Sequence, residues 1–151
     1  LPIWIAARGE LRHTPGHLVD IVPTVLELTG ATKPAAWKGQ PLPAAPGRSL
    51  VPALARDVTV ARDFLWWEHE GNRAIRAGDW KLVALAKGGW ELYDLAQDRG
   101  EQRNLAATRP DKVRELEGLW NRQMDEAKRL ALTDPPPAEA APKKGKRKQP
   151  E

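Results

Sequence analysis

Alternation of apolar and polar positions is densest between Leu65 and Leu105. Three short runs there carry Trp, Val, Ile and Tyr, residues that suit a pleated, half-buried surface. They are Arg73 to Arg76, Trp80 to Leu85 and Trp90 to Asp94. Gly78-Asp79 and Lys87-Gly88-Gly89 interrupt them, and glycine reaches φ > 0 without a steric penalty, so each break predicts a hairpin turn. Period 2 puts Trp80, Leu82 and Ala84 on one face and Lys81, Val83 and Leu85 on the other. The second set is mixed, so the pattern alone leaves the core face open. Asp63 to Glu68 is a further strand candidate with poorer alternation. The expected object is a small antiparallel meander.

Two helices flank it. His17 to Gly30 reads as a short helix, with Asp20 as N-cap, Pro23 in the first turn and Gly30 as a left-handed stop. Val22, Val25, Leu26 and Leu28 supply its apolar positions. From Pro110, Val113, Leu116, Trp120 and Met124 recur at steps of three and four, which places them on one helical face. That face is expected to cover one side of the meander. Thr108 and Asp111 fit a capping box, and Gly118 weakens the helix by about 1 kcal/mol relative to Ala. Thr32 to Pro52 is rich in Pro and Gly and predicts an irregular connection. From residue 133 onward Pro, Ala and charge replace any apolar face, which predicts disorder. The fold class is α+β, a small antiparallel β-sheet with a packed C-terminal helix.

Composition narrows the chemistry. With 151 residues the chain is sized for one domain. There is no cysteine, hence no disulfide, thiolate metal site or Cys nucleophile, and both oxidised and reduced compartments remain open. No apolar run approaches the roughly 20 residues of a membrane helix. The net charge is +4. About half of it lies in the tail, where Lys143, Lys144, Lys146, Arg147 and Lys148 outnumber Asp134, Glu139 and Glu151. That run lacks interleaved aromatics, so a solvated terminus is the better reading than nucleic-acid binding. The start, LPIWIAARGELRH, lacks the features of a signal peptide. It begins with Leu rather than Met, which suggests a fragment or a mis-called start. Ile3, Trp4 and Ile5 are then expected to be buried against neighbours the chain does not contain.

Candidate reactive residues are few. Ser49, the one serine, has no neighbouring base and reads as a turn or cap. His13 and His17 are four apart, but Pro15 and Gly16 between them argue against a helical metal pair. His69 lies in Trp67-Glu-His-Glu-Gly-Asn-Arg-Ala74. The tryptophans read mainly as packing residues, though Trp66 and Trp67 could line a sugar site.

Three motifs carry a family resemblance. Arg73, Ala74, Arg76, Gly78, Trp80, Lys81 and Leu82 are followed by Glu91 to Leu95, then Asp98, Glu101, Asn104 and Leu105. This order resembles the C-terminal subdomain of arylsulfatase-type sulfatases, with Arg99 where the pattern usually has Pro. Asp20-x-x-Pro23-Thr24, its apolar helix and Gly30 match in the same order. The Gly47-x-Ser49-Leu50 stretch resembles the short Gly-x-Ser-Leu segment after that helix in the family. The resemblance implies an alkaline-phosphatase-like sulfatase fold, of which 1–58 would be the end of the main domain plus a connection, 59–132 the C-terminal subdomain, and 133–151 a disordered Pro/Ala/Lys-rich tail. It implies sulfuric ester hydrolysis by an enzyme that uses calcium and a formylglycine made within a Cys/Ser-x-Pro-x-Arg motif. Ser49 is followed by Leu-Val-Pro and does not fit that motif. The nucleophile and metal site are therefore expected upstream, in a missing N-terminal catalytic domain on the same or a separate chain, with no catalytic residue, metal ligand or cofactor in this one. The isolated chain is expected to be inactive. His69 is the substrate-proximal candidate that the resemblance singles out. It also points to a periplasmic or secreted setting. Two other classes are open: a non-catalytic partner of a separately encoded catalytic piece, and a small basic binding module.

Overall fold

The computed structural model describes residues 9–133. The expectations for Ile3, Trp4 and Ile5 and for the tail beyond Thr133 lie outside the described residues. The chain divides into two compact units between Leu65 and Trp66.

In the first unit a single 3₁₀ turn, Leu18–Asp20, leads into α1, Ile21–Thr29. Gly30 ends α1 in the left-handed conformation, φ 68°, as its position predicts. A small hairpin follows, β1 (Ala36–Trp37) against β2 (Gln40–Pro41). Lys38 and Gly39 both have positive φ, as a type I′ turn requires. This hairpin sits where the sequence predicts only an irregular connection. A short helix, α2 (Val51–Ala55), carries Pro52 in its first turn and buries Ala53.

Asp20 does not play the expected role. Its carboxylate makes no cap bond to α1. It is fully buried and accepts from the backbone N–H of His17 at 2.7 Å, the backbone N–H of Arg48 at 2.8 Å and Nη2 of Arg62 at 2.8 Å. Thr24 ties the same segments together. Its hydroxyl donates to the Asp20 carbonyl and accepts from the Leu50 N–H. Gly47 passes so close to the turn that an added Cβ would lie 2.0 Å from the Val19 carbonyl oxygen. Asp20, Thr24, Gly47 and Leu50 thus form one knot, which explains why the two motifs occur together.

The second unit is the expected meander. Strands β3 (Leu65–His69), β4 (Asn72–Ala77), β5 (Trp80–Ala84) and β6 (Glu91–Asp94) are ordered β3-β4-β5-β6. The β4–β5 and β5–β6 pairs are antiparallel, with Ile75 opposite Leu82 and Leu82 opposite Leu92. Opposed residues share a face, so Ile75, Leu82 and Leu92 form one apolar row, each fully buried. This settles the core face: it is the Trp80, Leu82, Ala84 side. Leu85, expected in β5, falls beyond it and is exposed.

Helix α3, Pro110–Thr133, packs on β4 and β5. Leu116 and Trp120 are buried and Val113 and Met124 half-buried, so the predicted stripe is the packed face. Trp120 meets Trp66 and Trp90 edge-on, at 6.4 and 6.1 Å. The Arg73 guanidinium lies 4.4 Å over the Trp90 ring, and Trp90 Nε1 donates to Glu117 at 2.8 Å. Such ring pairs and cation–π contacts each add about 0.5–1.5 kcal/mol beyond burial. The capping box does not form. Thr108 donates its hydroxyl to the Leu105 carbonyl, and Asp111 pairs with Arg114.

Candidate functional site

The hairpin between β3 and β4 carries the WEHEGNRA stretch, and its polar residues first of all build the turn. Glu70 and Gly71 have φ 52° and 82°, both left-handed, as a two-residue I′ hairpin demands. The Glu68 carboxylate accepts the Gly71 N–H at 2.9 Å. Asn72 spans the base: Nδ2 donates to the His69 carbonyl and Oδ1 accepts from the Ala86 N–H, both at 3.1 Å. Gly71 admits no side chain comfortably, since a Cβ would sit 3.1 Å from that of Ala86.

That framework presents His69 at the exposed end of β3. Alternation puts Trp67 and His69 on the strand face opposite Trp66. Trp66 is half-buried and packs edge-on against Trp120. Trp67 is 39% exposed, while its backbone carbonyl is held by Trp120 Nε1 at 3.0 Å. The structure therefore separates the tryptophan pair into a packing residue and a surface residue. An exposed indole beside an exposed imidazole offers an apolar platform and a hydrogen-bonding group, the combination that suits a sugar face with polar substituents.

The remaining motif residues are structural. Arg76 Nε donates to the Gly78 carbonyl at 2.9 Å and closes the β4–β5 turn. On the sheet face away from α3, Lys81 Nζ meets Glu101 at 2.6 Å, and Tyr93 donates its hydroxyl to Glu91 at 2.5 Å. That hydrogen bond, with burial, pushes the Tyr93 phenol up to about 12. Asn104 Oδ1 accepts from the N–H of Leu92 and of Ala106, and the Leu105 N–H donates to the Leu92 carbonyl. The Asn-Leu pair of the second motif thus staples the outer edge of β6. Asp98 accepts the Arg103 N–H, and backbone hydrogen bonds of this kind hold its carboxyl below the usual range.

The other histidines are not brought together. His13 pairs with Asp57, ring Nδ1 to Oδ2 at 2.6 Å and backbone N–H to Oδ1 at 2.9 Å. These bonds hold the Asp57 carboxyl below its usual value. His17 belongs to the Asp20 knot. Ser49 accepts the Val51 N–H at 3.2 Å, a turn contact. Among the described residues no group of three or more His, Cys, Asp or Glu is arranged to hold a metal ion. No helix among them is long and apolar enough to cross a membrane. The sequence holds no formylglycine precursor in its motif, and among the described residues no calcium-binding set is arranged.

No family model matches the chain. An uncharacterised sulfatase of Schizosaccharomyces pombe is 38% identical over 110 residues, which cover 68% of this chain and 20% of that protein. The chain belongs to the sulfatase family. Arylsulfatase K of Danio rerio is 32% identical over 124 residues, 74% of this chain and 22% of that protein. A sulfatase structure solved with its substrate, D-glucosamine-2-N,6-O-disulfate, superposes with a TM-score of 0.51 at 25% identity, over 80% of this chain and 25% of that one. The chain matches the C-terminal region of the alkaline-phosphatase-like sulfatase fold. This sulfatase segment spans about a fifth of the length of the curated relatives it matches.

Proposed function

We propose that this sulfatase-family segment is the C-terminal part of a sulfuric ester hydrolase and forms one wall of its substrate pocket. The nucleophile, the calcium site and the attacking group belong to an N-terminal catalytic portion. The observation that carries the reading is the β3–β4 hairpin. Its motif residues Glu68, Gly71 and Asn72 make the turn, and Trp67, His69 and Glu70 are among the side chains it exposes.

In this role Trp67 supplies a flat apolar contact and His69 a hydrogen bond or a positive charge to a sulfated or hydroxylated substituent. Both act by binding and orientation, which position the ester for attack without joining the bond-breaking step. The related structure with a sulfated glucosamine as substrate favours a sulfated sugar over a small aryl sulfate.

The test is His69→Ala in a sulfate-hydrolysing protein that contains this segment. KM for a sulfated sugar should rise by about tenfold, the loss of one hydrogen bond to a charged group. KM for a small aryl sulfate, which does not reach the wall, should stay near its original value. An unchanged profile across both substrates rules the role out. The 151-residue chain alone should release no sulfate from either.

A further inference from the structure

The β1–β2 hairpin shows its one aromatic ring to solvent. Trp37 is 64% exposed. It faces Gln40 across the pair, so the ring has no apolar partner on the opposite strand. The backbone beneath it is nevertheless well fixed. The Leu42 N–H donates to the Ala35 carbonyl at 3.0 Å, and Lys33 Nζ donates to the Pro43 carbonyl. Lys38 and Gly39 hold the turn at positive φ, while Pro34, Pro41 and Pro43 restrict the chain on both sides. A ring presented on a preset backbone loses little ordering entropy when a ligand covers it.

Charge indicates the kind of ligand. From Leu28 to Arg56 the sequence holds Lys33, Lys38, Arg48 and Arg56 and no acidic residue. All four cations are exposed, and none is ion-paired among the described residues. Arg12 and Arg62 of the same unit do have acidic partners. Lys38 stands next to Trp37 at the tip of the hairpin, and Lys33 lies at its base. An indole offers a flat apolar face to a sugar ring, and an ammonium is a point charge suited to a sulfate group. We infer that the β1–β2 hairpin, through Trp37 and Lys38 with Lys33 behind them, binds a sulfated sugar chain. An anionic membrane fits less well, because a polybasic membrane segment gathers about four to eight cations and the hairpin carries only Lys33 and Lys38. The inference takes from the function proposed above only the sulfated sugar as ligand class, and involves neither His69 nor turnover.

The probes are isomaltotetraose and the same tetrasaccharide fully sulfated, with phosphatidylserine vesicles and a short oligothymidylate as the other polyanions. Each is titrated into the 151-residue chain while the indole N–H signals are followed by NMR, the Trp37 signal being the one absent from Trp37→Tyr. The sulfated tetrasaccharide should move that signal and bind at least about tenfold more tightly than the neutral one, with an affinity that falls as salt is added. Trp37→Ala should weaken this binding about tenfold, and Trp37→Tyr, which keeps a ring, should recover most of it. Lys38→Asn removes the charge with a residue that tolerates positive φ; it should cost about threefold at low salt and flatten the salt dependence. Lys143 to Lys148 are common to all variants, so an affinity that no substitution moves would place the binding in the tail and overturn the inference. Equal affinity for the neutral and sulfated sugars, or no binding, also overturns it. So does a Trp37 signal that moves only with vesicles or with the oligothymidylate, which would make the ligand a membrane or a nucleic acid. The same variants of the product of its own gene, made in the source cells, are then eluted from dextran sulfate. Trp37→Ala should elute at lower salt than the parent, and elution at the parent's salt would mean that the hairpin is covered in that product and overturn the inference. Failure here leaves the His69 reading standing, since that is scored by KM. A KM unchanged by His69→Ala overturns that reading and leaves this binding in place.

Discussion

Asp20 shows how much one residue decides. Burial alone would raise its pKa, but the Arg48 N–H, the Arg62 guanidinium and the His17 N–H together hold the carboxyl below its ordinary value. A depressed folded-state pKa stabilises the fold above the unfolded value of about 3.9, and this contribution is lost as pH falls through the folded value. Thermal unfolding of the first unit should therefore move to lower temperature below about pH 4, and Asp20→Ala should lose about 3–5 kcal/mol at neutral pH by leaving Arg62 buried and unpaired. A neutral-pH stability equal to that of the parent would show the knot to be dispensable. Tyr93 has the opposite sign. Its folded pKa of about 12 exceeds an unfolded value of about 10, so its contribution is complete below about 10 and disappears as pH rises through about 12. It is the single tyrosine, so phenolate absorbance reads it directly. Glu91→Gln should bring the inflection down toward about 10, and an inflection near that ordinary value in the folded parent would deny the hydrogen bond. The sequence named Asp20 as important but assigned it a local role. Its Arg48 and Arg62 partners lie 28 and 42 residues away, beyond the reach of a capping argument. The Tyr93–Glu91 bond, across only two positions, needed the strand's geometry to bring both groups together.

At the scale of elements the meander was legible because its turns are written in glycine and its strands in aromatic and β-branched residues. What period 2 could not decide, the α3 face decided: Leu116 and Trp120 select the side of the sheet that carries Ile75, Leu82 and Leu92. The β1–β2 hairpin escaped because both strands are two residues long and wholly exposed, so no hydrophobic pattern marks them. Lys38-Gly39 was the available signal. In α1 the apolar positions Val22, Val25 and Leu28 are exposed, while Asp20 at its boundary is buried. Helical periodicity finds a stripe without saying what it covers. Gly118 offers a test on α3. An added Cβ would meet only the Arg122 guanidinium, at an ordinary 3.5 Å, so Gly118→Ala should stabilise the second unit by about 0.5–1 kcal/mol. A loss of stability in denaturant unfolding would mean that the helix depends on a close approach there. Gly47→Ala should do the reverse, because its Cβ would collide with fixed backbone at Val19; a loss of about 1–3 kcal/mol is expected, and an unchanged midpoint would contradict the close passage.

For the whole molecule, the motifs that identify the family are mostly structural. Asp20 and Gly47 tie the first unit, Arg73 and Arg76 fix strand and turn, and Asn104 with Leu105 staples β6. This explains how a segment with no metal cluster among its described residues matches sulfatases so clearly: the family pattern here records folding requirements. The sequence could show the family but could not separate Trp66 from Trp67, because which neighbour on a strand faces the helix is set by packing. The central claim is that the chemistry lies in a portion attached to or paired with this segment. It is tested most directly by isolating the native protein from its source cells with an antibody against the second unit, then measuring its intact mass and its release of sulfate. The account predicts a species, single or assembled, well above 16.8 kDa that hydrolyses a sulfate ester. A 16.8 kDa monomer that turns over the ester unaided would contradict it, since the nucleophile would then have to lie within these 151 residues.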